Sequence, residues 1–190
     1  MRILKSFAVA LAATFAAPAA EALTFDIVET GSGVTLTASG ALDTTGLNFA
    51  FVVGPSSAFT NAQKPQLQLG LGNGDNYTGV FTALGSPFGT SGFRFAGFDT
   101  GDAVGFDASS SNRLVLPVNY QSGDPISASA LFAGETFASL GILAGAYTYD
   151  LTNGESITLT ATPIPLPGAL PLLLAGVGAL VVAKRRTAHA

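Results

Sequence analysis

The middle of this chain predicts an all-β fold, an antiparallel β-sandwich or jelly roll, and two observations carry that expectation. Apolar residues recur with a period of two, as VTLTA over Val34–Ala38, YTY over Tyr147–Tyr149 and SITLTA over Ser156–Ala161. Such alternation lines every second side chain along one face of a strand. Glycine, asparagine, aspartate and serine then interrupt the runs at the short spacing of an all-β domain, at Thr30–Gly33, Gly72–Asn76 and Thr152–Gly154.

The elements follow in order. Val34–Ala38 is a half-buried strand. Asn48–Val53 (NFAFVV) is a near-continuous apolar run, the pattern of a strand covered on both faces, so a central position is expected for it. Phe93 and Phe95 share one face of a strand and are expected in the core. Pro117–Pro125 reads as a long surface loop. Thr136–Leu140, followed by Gly141, reads as one helical turn closed by a glycine just past its end. Asn153-Gly154 joins Tyr147–Leu151 to Glu155–Thr162 as a hairpin.

Both ends of the chain differ from this pattern. Residues 1–22 read as a Sec signal peptide. Arg2 and Lys5 precede the apolar stretch Phe7–Ala17, Pro18 breaks it, and Ala20 and Ala22 are the small residues a signal peptidase accepts, with cleavage expected before Leu23. At the other end no charge occurs over the 28 residues Ser156–Ala183, after which come Lys184, Arg185 and Arg186. Leu166–Ala183 as a helix spans roughly 27 Å, close to the hydrocarbon thickness of a bilayer. The three cations stop transfer and stay cytoplasmic, which leaves the preceding domain outside. Ile164-Pro165-Leu166-Pro167-Gly168 can neither continue a helix nor pair as a strand, so it should stand extended at the outer membrane boundary.

This order of proline motif, apolar helix and basic end resembles the PEP-CTERM class of sorting signals, most closely the VPLPA-CTERM variant. Pro165, Leu166 and Pro167 match the motif; Ile164 stands where the variant has Val, and Gly168 where it has Ala. The resemblance implies recognition and cleavage by an exosortase, a membrane cysteine protease, near Pro165–Gly168. Leu114–Ala161 also resembles the C-terminal part of many PEP-CTERM passenger domains, through Ser122–Pro125, Phe137–Gly141 and Gly145–Tyr149. The chain therefore divides into a signal peptide (1–22), a passenger domain (23–162) and a sorting signal (163–190).

The passenger domain has 140 residues, enough for one sizeable core. It carries eleven acids against three bases, Lys64, Arg94 and Arg113, a net charge of −8. Such a domain repels nucleic acid and anionic headgroups. Cysteine is absent, so neither disulfides nor thiol chemistry arise. The single histidine, His189, lies beyond the apolar run, which leaves the domain without a Ser-His-Asp triad or a histidine metal ligand. Lys64, before Pro65, reads as a solvated loop residue. Glu29, Glu135 and Glu155 each adjoin a turn and read as exposed turn residues rather than the paired carboxylates of a glycosidase. Asn73, Asp75 and Asn76 in one loop, and Asp99, Asp102 and Asp107 in another, supply hard oxygen ligands, but not at EF-hand spacing. No metal, cofactor or enzymatic activity is therefore expected.

The expected function is that of an exported structural or interaction protein of the cell envelope or extracellular matrix. Its partners are the Sec machinery, signal peptidase, an exosortase-type protease and the membrane. It begins as an inner-membrane-anchored precursor and ends at the surface or outside the cell. The alternative is a secreted module that binds matrix exopolysaccharide, with calcium as an aid.

Overall fold

The computed structural model describes residues 22–163. Ala20, the motif residues Pro165, Leu166, Pro167 and Gly168, and the stop-transfer residues Lys184, Arg185 and Arg186 lie outside the described residues. So do the expected signal peptide, apart from the exposed Ala22, and the expected membrane helix. Among the described residues, no helix is long and apolar enough to cross a membrane.

The described residues are all-β apart from one helical turn, and sandwich-like. In order it forms β1 (Thr24–Thr30), β2 (Gly33–Gly40), β3 (Asn48–Val53), β4 (Phe59–Asn61), β5 (Gln66–Leu69), β6 (Gly74–Thr78) and β7 (Phe93–Phe95). There follow β8 (Phe98–Gly101), β9 (Val104–Asp107), β10 (Arg113–Pro117), β11 (Ile126–Ala133), α1 (Phe137–Leu140), β12 (Gly145–Asp150) and β13 (Ser156–Thr162). One sheet has six strands in the order β12-β13-β1-β2-β11-β8; the other has seven, β3-β6-β10-β9-β5-β4-β7. All pairings between these strands are antiparallel except one: β1 and β13 run parallel, from Thr24 opposite Thr158 to Val28 opposite Thr162. The two ends of the domain thus share one sheet, which the expectation of a purely antiparallel sandwich did not include.

The six-stranded sheet follows its sequence pattern closely. Phe25 and Ile27, Val34 and Leu36, Ala128 and Ala130, and Ile157 and Leu159 all point inward and are buried. The residues between them are Thr, Ser and Asp, as at Thr24, Asp26, Thr35, Thr37, Ser129, Thr158 and Thr160, and they form a hydroxyl-rich outer face. From the opposite sheet, Phe106 reaches across the core. Its ring centroid lies 5.3 Å from that of Phe25 and 4.7 Å from that of Tyr149. Each fully buried side chain of this size contributes about 1.5–3 kcal/mol relative to exposure.

The helical turn forms where expected. Thr136 caps it by accepting the Ser139 N–H, the Ser139 hydroxyl accepts the Thr136 N–H in return, and Gly141 closes it at φ 62°. The β12–β13 hairpin also forms. Of its Asn-Gly pair only Gly154 takes a positive φ, 93°, after a turn closed by Gly154 N–H to the Leu151 carbonyl.

Three expectations are corrected. Asn48–Val53 is an edge strand, paired only with β6, and Phe49, Phe51 and Val52 are about half exposed. Its apolar run marks a strand, but the order of strands in the sheet is set by distant pairings. A bulge between Phe49 and Phe51 distorts this edge, a common means of discouraging further pairing. Phe93 and Phe95 are not core residues: they lie on β7, the opposite edge, and are 54% and 65% exposed. Asp75 and Asn76, read as loop residues, belong to β6, while Asp99 and Asp107 belong to β8 and β9.

Candidate functional site

The outer faces of the two sheets differ. The face of the six-stranded sheet is mainly small hydroxyls, with Phe98, Leu131 and Val28 toward one end. That of the seven-stranded sheet gathers aromatic rings, amides and an ion pair.

Strand pairing places these residues. In β5, Leu67 and Leu69 point into the core, so Gln66 and Gln68 point out. Gln68 pairs with Gly105 of β9 and with Phe59 of β4, and Phe59 pairs with Phe95 of β7. Gln66 pairs with Asp107, and Asp107 with Arg113 of β10. Directly paired residues stand on the same face, so these side chains share one surface.

Five residues, 54–58, join β3 at one margin of this sheet to β4 near the other, with four strands between. Extended, that strap reaches about 20 Å, whereas five strand spacings on a flat sheet need about 24 Å. The sheet is therefore curled. Gly54 and Ser56 of the strap line the same cleft as Gly105, Asp107, Arg113 and Val115, so the strap crosses on the outer side and the outer face is the concave one. The cleft holds about 240 Å³. Gly105 leaves its floor bare, since a Cβ there would stand 2.5 Å from the Leu67 carbonyl oxygen.

Phe59 and Phe93 form the wall on the β7 side. The Phe93 and Phe95 rings lie 12° from parallel with centroids 6.2 Å apart, and Phe59 meets both edge-on, at 5.2 and 6.0 Å. Exposed aromatic rings held by one another give a firm apolar platform.

The polar groups of this face are not all satisfied within the protein. Arg113 Nη2 stands 3.6 Å from Asp107 Oδ2, the one ion pair among the described residues, while Arg113 Nε is buried without a partner. Asp107 Oδ1 accepts from the Ser109 N–H and the Ser109 hydroxyl. Asn76, paired with Val115 at the far side of the cleft, is fully buried and leaves both its amide oxygen and its nitrogen unpaired. An unpaired buried amide costs about 1–3 kcal/mol, so such groups need an explanation.

The carboxylates weighed as cation ligands each accept a backbone N–H, although Asp99 Oδ2 is left without a partner. Asp75 accepts the Asn119 N–H at 2.9 Å, Asp99 the Gly70 N–H at 2.7 Å and Asp102 the Ser127 N–H at 2.8 Å. Among the described residues, no three Asp, Glu, His or Cys side chains gather closely enough to hold a metal. Glu29 accepts the Phe137 N–H at 2.8 Å, Glu135 accepts from the Ser139 hydroxyl, and Lys64 is exposed in a turn. Gln66 and Gln68 were not singled out from sequence, and Asp107 and Arg113 were read there only as a possible cation ligand and a base, not as a pair. The signal available for the glutamines was the alternation QLQL over Gln66–Leu69, which puts two amides on one face. Comparison of the chain with protein-family models, curated proteins and solved structures finds no match.

Proposed function

We propose that this chain is an exported, non-catalytic envelope protein whose domain binds matrix polysaccharide on the outer face of its seven-stranded sheet. The Phe59–Phe93–Phe95 cluster, with Phe93 and Phe95 exposed, beside Gln66, Gln68 and the Asp107–Arg113 pair is the observation that carries the reading. A pyranose ring has an apolar C–H face for the rings and hydroxyls for the amides, the guanidinium and the carboxylate.

The sorting reading supplies the context. A Sec signal peptide cleaved after Ala22 delivers the domain, and Lys184, Arg185 and Arg186 hold the precursor in the inner membrane. An exosortase-type protease then cuts near Pro165, Leu166, Pro167 and Gly168, so the domain reaches the surface or the extracellular matrix. The lack of histidine and cysteine between residues 22 and 163 supports a binding rather than a catalytic role. Co-sedimentation of the purified protein with polysaccharide from the producing cells' matrix tests the proposal. Pelleting with the polymer supports it; recovery of all the protein in the supernatant contradicts it.

A further inference from the structure

We infer that the polysaccharide held on this face is an uncharged one, bound by ring stacking and hydroxyl hydrogen bonds without a divalent cation. This rests on the proposal that the face binds polysaccharide at all. The charge on the page decides the class. The passenger domain has three cations against eleven acids. Of the three, only Arg113 lines the cleft, and its guanidinium already faces Asp107. Lys64 sits in the turn after β4, and Arg94 falls on the other side of the β7 pleat from Phe93 and Phe95. An acidic polymer laid in the cleft would find no uncommitted positive charge and would meet a domain of like sign.

The remaining groups suit hydroxyls. Gln66 and Gln68 offer amide donors and acceptors without charge, although Gln66 Oε1 already accepts one bond from Asn61 Nδ2 at 3.5 Å. A calcium bridge between protein and glycan needs several carboxylates together, whereas Asp107 is the one carboxylate that lines the cleft and no three such groups gather among the described residues. A second protein copy is less well matched. An apolar partner surface would strip water from the ion pair and the amides and return no hydrogen bonds, a costly exchange that sugar hydroxyls avoid.

Native affinity electrophoresis of the full chain in mild detergent tests this. Parallel gels contain uncharged polymers (β-1,3-glucan, β-1,4-glucan, galactomannan) or acidic ones (alginate, polygalacturonate), each at low and high salt and with or without EDTA. The expected result is retardation by at least one uncharged polymer, unaffected by salt or EDTA and weakened about tenfold or more by Phe93→Ala/Phe95→Ala. Retardation by acidic polymers alone, or binding lost in high salt or EDTA, overturns the uncharged class but leaves the face a polysaccharide site. No retardation by any polymer removes the reading beneath it. A dimer that the double substitution abolishes, without glycan binding, makes the face a protein interface and overturns both.

Discussion

Phe93 and Phe95 stand side by side on the outer face of β7, rings 12° from parallel and centroids 6.2 Å apart, and both are more than half exposed. Burial in a core does not account for two such rings on an edge strand. Paired with Phe59 and flanked by the strap over residues 54–58, they form the aromatic platform on which the proposed binding of polysaccharide rests. The hydroxyl-rich face of the opposite sheet exposes one ring, Phe98, with no second ring against it among the described residues.

Thr60 lies on the inner side of β4, fully buried, with its hydroxyl unpaired. Thr60→Val keeps the shape and removes the stranded hydroxyl. It is expected to stabilise the domain by about 1 kcal/mol. A higher urea midpoint with an unchanged slope is the predicted result. A lower midpoint would mean that the hydroxyl is hydrogen-bonded in solution.

Stability should fall at alkaline pH. Burial pushes the Tyr149 phenol well up from its ordinary value, and burial moves Tyr77 and Tyr120 in the same direction. The unfolded chain releases these protons near pH ~10, while the folded chain still holds them. Their contribution is therefore intact below that pH and is lost as pH rises above it. Tyr149→Phe keeps the ring but removes the hydrogen bond to the Ser86 carbonyl, 3.1 Å away. It should cost about 1 kcal/mol at neutral pH and flatten the alkaline decline. Melting temperatures from pH 7 to 11 for both proteins check this; parallel curves would contradict the role given to Tyr149.

The sorting reading predicts two cellular forms, a membrane-bound precursor and a shorter product. Replacing Pro165 and Pro167 with Ala should extend the apolar helix outward, hide the cleavage segment and leave only the precursor. Immunoblots of membrane and medium fractions, from cells that make the matching exosortase, give the readout. A wild-type protein found solely at full length in the inner membrane identifies a plain anchor instead.

What the sequence disclosed was local. The alternation of β2 and β13, the helical turn closed by Gly141, and the Asn153-Gly154 hairpin each depend on a few adjacent residues, and each formed. What stayed hidden depends on pairing across the sheet. Nothing within NFAFVV says that β3 lies at a margin, and the spacing of Phe93 and Phe95 shows that they share a face but not which face. Asp75 and Asn76 follow Gly72-Asn73-Gly74, so turn chemistry masked the strand that begins at Gly74. The cleft arises from β3, β4, β5, β7, β9 and β10, and no single stretch of sequence carries its signature.

The central claim is that exposed aromatic rings on the seven-stranded sheet hold polysaccharide, and paired measurements on Phe93→Ala/Phe95→Ala address it most directly. The dissociation constant for the bound polymer and the melting temperature are measured on the same wild-type and variant preparations. Because both rings are largely exposed, the account predicts a melting temperature close to wild type and affinity at least about tenfold weaker. Unchanged affinity, or affinity lost only together with the fold, would contradict it.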